Sequence, residues 1–408
     1  FENMREISRL AKDLNIMIVP KLQSIAHVDY LLKHARYKDL RENNHAFQYC
    51  LTNPKGLKLW NDMANELMEC FAEHDQYFHI GADEAINLGE CSSCQKLGKA
   101  GSYIFKVQKS IECILAAGRT PIMWDDIIRN SDASLTDEER KQCQILGNKA
   151  VLMYWAYGYG GNNNTFPHVS GYLAQGFKVW GASGFSGCDN WVGSIPPLSV
   201  RALNLDAWAK TAVEQKLECV CATGWGRIAS ADCPTEPHEC CWFTILYAAQ
   251  TMWAGKHYDY MKFVYALSLH LYGNVPDDAV AAAIMAIDKN PIRTDALASF
   301  DFTDKRYKLL CLCAAVESLA GELKQLCSWN MCYFGRLGKV MPDYRIAYMN
   351  RWPVIRAQKM AKLKEEIAPL LREFYEDSTV EDFLVSRFGY IEKLYADTAR
   401  LTGNTKEC

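Results

Sequence analysis

No apolar run in this 408-residue chain is long enough to cross a membrane, and its start carries no signal-peptide pattern. A basic stripe is also missing. The formal net charge is only −3, which sets nucleic-acid binding aside. There is no glycine loop to cradle a phosphate and no GxSxG elbow, so nucleotide chemistry and the common serine hydrolases drop out. Repeats and low-complexity segments are absent. The chain does not open on Met. It opens at Phe1, inside a helix expected over residues 1–14, so an upstream portion is expected.

A second pair for the one metal-like motif is lacking too. Cys91-Ser92-Ser93-Cys94 has ligand spacing, but no matching pair follows it. Cys233, His238, Cys240 and Cys241 fit no standard zinc spacing, so no metal is expected. The 17 cysteines are odd in number and scattered. Several, such as Cys219, Cys221, Cys311 and Cys313, sit in apolar contexts. That favours buried, reduced thiols over a disulfide framework. Asn163-Asn164-Thr165 is a lone glycosylation sequon, a frequency close to chance.

What is present is a large apolar fraction, 49%, enough for a sizeable core and more than one domain. A unit recurs along the first part: a short β-rich run, a loop, then an amphipathic stretch of helical length. Strands are expected at residues 16–22, 77–80, 121–124, 151–154, 178–180 and 218–222. Helices are expected at 55–73, 102–117, 168–175, 200–216 and 239–252. Gly118, Gly147 and Gly176 fall where left-handed C-caps belong. Strands alternating with helices imply a parallel sheet.

The ends of these strands carry chemistry: Gln23 and His27, Asp83 and Glu84, Trp124 with Asp125, Trp155, residues 181–185, and Trp225. A barrel gathers its strand C-termini around one mouth. An open doubly wound sheet would spread them along an edge. The expected fold is therefore a (β/α)8 TIM-type barrel over residues 1–255, with its first two strands lying outside this sequence. After Gly255 only helical patterns remain, at 258–271, 277–287, 307–326, 360–374 and 382–402. Pro276, Pro291, Pro342 and Pro353 punctuate them. Residues 256–408 are expected to form a helical C-terminal region.

The most informative stretch is Phe78-His79-Ile80-Gly81-Ala82-Asp83-Glu84. A core strand ends in a small-residue turn and then presents two carboxylates. Burying a carboxylate is costly unless it is paired or protonated. Neighbours on a strand face opposite ways, so both acids can serve one substrate only if the Gly81-Ala82 turn breaks strand geometry. Alternatively, Asp83 caps a following helix and Glu84 is a solvated first-turn acid. Trp124, Trp155, Trp180 and Trp225 at or near strand ends either fill the interior or cage a small ring. Glycoside cleavage suits such a set, because it needs a proton donor and an anion beside a developing cation.

In order and spacing, these segments resemble glycoside hydrolase family 20, the β-N-acetylhexosaminidases, and within it the hexosaminidase D branch. The resemblance rests on Val19-Pro20-Lys21-Leu22-Gln23-Ser24-Ile25-Ala26-His27, His79-Ile80-Gly81-Ala82-Asp83-Glu84, Trp124-Asp125-Asp126, Tyr154-Trp155, Trp180-Gly181-Ala182-Ser183-Gly184-Phe185 and Thr223-Gly224-Trp225-Gly226-Arg227.

It implies a retaining exo-enzyme that removes terminal β-linked GalNAc or GlcNAc. The sugar's own acetamido oxygen would attack and form an oxazolinium. Asp83 would orient and charge-stabilise the acetamido group. Glu84 would be the general acid and then the base, with its pKa raised by Asp83 and apolar walls. Gln23, His27, His79, Trp124, Asp125, Trp155 and Trp225 would line the pocket, with Trp225 stacked beneath the ring. The implied partner is a glycan, with no cofactor and no nucleic acid, and a homodimer is left open. The resemblance and the thiols favour a nucleocytoplasmic location over a secreted or lysosomal one.

Two departures stand out. Lys21 occupies a position where typical members have Glu, and Arg227 replaces a Glu that helps hold sugar hydroxyls. Arg227 and the two strands expected outside this sequence motivate an alternative, a non-catalytic N-acetylhexosamine-binding protein on the same barrel.

Overall fold

A computed structural model describes residues 1–131, 135–158, 164–188, 198–225, 241–256 and 343–401, with scattered residues between 259 and 327. A two-stranded antiparallel hairpin, β1 (Arg41–Glu42) and β2 (His45–Tyr49), precedes the main sheet. Five strands then follow in sequence order: β3 (Tyr77–His79), β4 (Thr120–Trp124), β5 (Val151–Trp155), β6 (Lys178–Ser186) and β7 (Val220–Gly224). The pairs β3–β4, β4–β5 and β5–β6 are all parallel. Helices stand between consecutive strands, as parallel pairing requires. They are Gly98–Ala116, Asp126–Ser131 with Asp137–Gly147, Pro167–Ala174, and Leu198–Gln215.

Local chemistry explains several boundaries. Helix Pro54–Cys70 starts where the Asn53 side chain accepts the Lys55 and Gly56 amides, with Pro54 in the first turn. At its far end the buried Arg119 guanidinium donates to the Met68, Phe71 and His74 carbonyls, closing acceptors that the last turn leaves open. Helix Asp137–Gly147 opens on a capping box between Thr136 and Glu139. Gly118 and Gly176 take φ of +76° and +84° just past helix ends, as the sequence suggested.

Gly147 corrects that reading. It ends its helix without a positive φ, and a Cβ there would sit 2.7 Å from the Phe177 ring. Its smallness serves close packing.

Other expectations shift as well. Residues 16–22 form no regular strand. They join β3 through a single parallel bridge, Lys21 to His79. The Pro20 and His79 carbonyls accept from the His79 and Leu22 amides. Pro20 itself has no N–H to offer, which shortens any ladder. β6 continues to Ser186, six residues beyond its expected end. The hairpin and the helices at 126–131 and 137–147 were not foreseen.

The described residues divide into two compact units. Phe1–Ala156, Phe166–Ala182 and Thr211–Cys221 make one. Tyr157–Thr165, Ser183–Lys210 and Ala222–Cys408 make the other. In the second unit, helix Leu198–Gln215 contributes Ala202 and Leu205 to a cluster with Tyr247, Ala248 and Phe263. A separate core gathers Leu312, Val316, Leu323, Leu363, Ile367, Val380 and Phe388.

Helix Asp343–Arg372 passes through Pro353, where punctuation was expected, and begins well before residue 360. A proline inside a helix costs about 3 kcal/mol. Burial of Met360, Leu363, Ile367 and Leu371 along the same helix opposes that cost. Helices Asp377–Leu384 and Tyr390–Leu401 follow, joined by a π turn at Val385–Gly389. The expected helix at 277–287 and most of those at 258–271 and 307–326 lie outside the described residues. Among the described residues no helix is long and apolar enough to cross a membrane.

Candidate active site

The first unit carries the acidic pair at the carboxyl end of β3. Strand geometry stops at Gly81. Gly81, Ala82 and Glu84 all take left-handed backbone, with φ of +71°, +72° and +47°. This supplies the break that the sequence required, because successive side chains need no longer alternate. Three contacts hold the turn: the Gly81 amide donates to His79 Nδ1 at 2.9 Å, the Trp124 amide donates to the Gly81 carbonyl, and Tyr103 Oη donates to the Ala82 carbonyl. A Cβ on Gly81 would run into the Gln23 side-chain amide.

The two carboxylates converge on one imidazole. His27 Nε2 lies 3.3 Å from Asp83 Oδ2 and 3.1 Å from Glu84 Oε2. Gln23 Nε2 donates to Asp83 Oδ1 at 3.0 Å. Asp83 is buried, whereas the Glu84 side chain is 51% exposed. The neighbours therefore meet different environments, and only Glu84 opens toward solvent. Residues 23–28 are placed from outside: Trp60 Nε1 donates to the Gln23 carbonyl, and the Ile25 carbonyl accepts from Tyr49 of β2. His27 itself has φ +58° and packs edge-on against Phe47 at 4.7 Å.

Behind the pair stands a residue that sequence reasoning quoted but did not select. Asp126 Oδ2 accepts the Glu84 backbone N–H at 2.9 Å, and its Oδ1 accepts Trp155 Nε1 at 3.4 Å. Asp125 is fully buried. Its Oδ2 accepts from Tyr172 Oη at 3.1 Å and faces Arg129 Nη1 at 3.6 Å. The Arg129 guanidinium lies over the Tyr154 ring at 4.5 Å and donates to the Trp155 carbonyl. Asp126 was legible as the second acid after Trp124. Tyr172 and Arg129 carried no local signal, because each acts through a partner distant in sequence or hidden in a helix.

Titration follows this geometry. Burial opposes the His27 cation, but the Glu84 hydrogen bond and the Asp83 and Glu84 charges outweigh it and raise its pKa. The His27 hydrogen bond lowers Glu84, and that exceeds the upward pull of its partial burial. The expected upward shift of Glu84 is thus reversed in the resting site, because its carboxylate accepts the His27 hydrogen bond. Burial pushes Asp125 up to about 7 and Asp126 up to about 6. Burial also lowers the Lys21 ammonium, against the raising effect of Asp83, and Lys21 lies 5.1 Å over the Trp124 ring.

His79 and Trp124 are buried beneath the turn, 4.8 Å apart between ring centroids. Burial drives His79 well below its ordinary pKa, so the ring is neutral. Trp155 is half-buried beside Asp126. Trp180 does not share the strand-end position. It falls near the start of the lengthened β6, donates to Glu218 and meets Tyr77 at 4.9 Å, at the opposite end of the sheet from the acids. Trp225 belongs to the second unit, where its Nε1 donates to Tyr157 Oη at 3.0 Å. Arg227, Cys233, His238, Cys240 and Asn163 lie outside the described residues.

The acids thus converge at the carboxyl edge of a parallel α/β sheet. Residues 2–180 match the model of "Glycosyl hydrolase family 20, catalytic domain". Human hexosaminidase D is 26% identical over 242 residues, covering 55% of this chain and 48% of that protein. Bovine hexosaminidase D is 28% identical over 239 residues, covering 55% and 67%. The chain thus spans about half the length of the human relative. A β-N-acetylhexosaminidase from Bacteroides fragilis NCTC 9343 shares the fold at a TM-score of 0.50 and 18% identity, covering 67% of this chain and 55% of that one.

Proposed function

We propose that the protein is a retaining exo-β-N-acetylhexosaminidase working on a (β/α)8 barrel by substrate assistance. The observation that carries this is the convergence of Asp83 and Glu84 on His27 at a left-handed turn. The match of residues 2–180 to the family model and the names of the similar proteins support it.

In this reading Asp83 is buried and held by Gln23 and His27. It receives the acetamido N–H and aims the acetyl oxygen at the anomeric carbon. That oxygen attacks, the glycosidic bond breaks, and Glu84 gives its proton to the leaving oxygen. Water then opens the oxazolinium as Glu84 takes a proton from that water. The acid step needs a protonated Glu84, whereas His27 holds it ionised at rest. A bound sugar that excludes water would raise Glu84 and draw the shared proton from His27 to Glu84. Trp155 would offer an apolar face to the sugar. A nucleocytoplasmic location belongs to the same proposal.

Hydrolysis of aryl β-N-acetylgalactosaminide, aryl β-N-acetylglucosaminide and plain aryl β-galactoside by the full-length protein tests this. Turnover of an acetamido sugar but not the plain one is expected, and the ratio of the first two sets the 4-hydroxyl preference. Equal turnover with and without the acetamido group would overturn the assisted mechanism. Binding without turnover would overturn the enzyme reading.

A further inference from the structure

Away from the carboxylate pair, the chain assembles four ligand-type side chains from three separate segments. Cys91 and Cys94 come from the motif that lacked a partner pair. Cys50 comes from the end of β2 and Glu42 from β1. One ligand atom from each lies within 4.8 Å of all the others. Cys50 Sγ stands 3.5 Å from Cys91 Sγ and 3.8 Å from Cys94 Sγ, and Cys94 Sγ is 3.2 Å from Glu42 Oε2. A tetrahedron with Zn–S bonds of about 2.3 Å has sulfur–sulfur edges of about 3.8 Å. Cys50 Sγ already stands at or just inside that spacing from both other sulfurs.

The surroundings are those of a built site. Glu42 is fully buried. Its Oε1 accepts the Glu90 and Cys91 amides, both at 2.7 Å, which turns Oε2 toward the sulfurs. The Cys94 amide donates to Cys91 Sγ at 3.4 Å, the direction a thiolate requires. Thr52 Oγ1 touches Cys50 Sγ and Cys94 Sγ at 3.8 and 3.4 Å. A buried carboxylate beside three thiols, with no cation, would be a costly arrangement. A divalent soft-to-borderline cation resolves it, and three sulfurs with one oxygen favour zinc over magnesium or calcium.

We propose that Glu42, Cys50, Cys91 and Cys94 form a structural zinc site that clamps the segment after Glu84 to the β1–β2 hairpin. On binding, the three thiols release their protons to water and all four positions are filled by protein, so the ion has no open place for a substrate. Cys91 follows Glu84 by seven residues. Hydrogen bonds tie the same two segments: His45 and Asn43 to Glu90, and Gln48 to Asn87. Zinc would be the central fastener of that seam, and the inference does not depend on which reaction the carboxylates perform.

The test is metal analysis of the reduced, full-length protein, followed by exchange with cobalt. About one zinc per chain is expected, with the cobalt form showing a near-ultraviolet thiolate charge-transfer band and strong tetrahedral visible bands. C94S and E42Q should lose or weaken the metal, while C241S, elsewhere in the chain, should keep it. Should C94S fail to fold, alkylation mapping of the wild type replaces it: zinc should protect Cys50, Cys91 and Cys94 together. Absence of both zinc and cobalt–thiolate bands, equal alkylation with and without zinc, or metal kept in C94S would each overturn the site.

Discussion

Asp126 holds Glu84 by its backbone: the Glu84 N–H donates to Asp126 Oδ2 at 2.9 Å. Glu84 has a left-handed φ, a conformation that local sterics resist. An anchor on its amide is therefore what fixes where the carboxylate points. Asp126→Asn offers an N–H where an acceptor stood, or flips and abandons Trp155. We expect kcat to fall by about 100-fold, the scale of a small misplacement of a catalytic group. KM should move little, which steady-state kinetics with an acetamido substrate would show. Loss in KM alone would contradict the anchoring role.

Under the proposed mechanism, loss of the Glu84 carboxyl should show in the leaving group. Glu84→Gln should cost about 10²–10⁴ in kcat on an unactivated glycoside, the usual worth of general acid catalysis. An aryl glycoside with an acidic phenol needs less protonation and should suffer less at the bond-breaking step. The variant should melt close to the wild type, since the Glu84 side chain is half exposed. Near-full activity on an unactivated glycoside would remove Glu84 from the chemistry.

The His27–Glu84 contact should make stability depend on pH in a defined window. His27 is raised, so its contribution is complete below about 6.5 and fades as pH climbs through its folded pKa. Glu84 is lowered, so its contribution is complete above its usual value near 4.5 and fades as pH drops through its folded pKa. Both operate together between about 4.5 and 6.5. The gap between His27→Gln and wild type should narrow as pH climbs through the folded pKa of His27, read by denaturant midpoints across pH. The gap within the window should stay below about 1 kcal/mol, since solvent screens the exposed Glu84 oxygens. A gap independent of pH would mean that His27 contributes by packing on Phe47 alone.

Gly81→Ala should damage fold and site together. Its φ of +71° strains any L side chain, and the new Cβ would overlap the Gln23 amide that holds Asp83. A loss of about 2 kcal/mol is expected from backbone strain, with activity falling further because Gln23 must move. Parallel melting and kinetic measurements would separate the two effects.

Much of the sheet was legible because its strands are short apolar runs set between glycines and amphipathic helices. The runs ending at Trp124 and Trp155 needed no tertiary knowledge. Residues 16–22 misled because a β-rich composition does not guarantee a ladder. Pro20 lacks an amide, and only Lys21 bridges to β3. The acidic pair was legible from the Gly81-Ala82 break, while the sign of the Glu84 shift was not. It depends on His27, more than fifty residues earlier. The same holds for the sulfur cluster. Cys91 and Cys94 announced themselves by spacing, but Glu42 and Cys50 sit on a hairpin whose polar sequence hides it.

Ala82 gives the turn a further meaning. Glycine would occupy its φ of +72° without penalty, yet the chain keeps a methyl group there and buries it completely. A left-handed alanine raises the folded state by about 1–2 kcal/mol relative to relaxed backbone, and glycine would relieve that tension. It would also give the loop new conformers and let the neighbouring carboxylates wander. The turn behaves like a set spring: thermal robustness is given up so that two acids keep one heading between encounters with substrate.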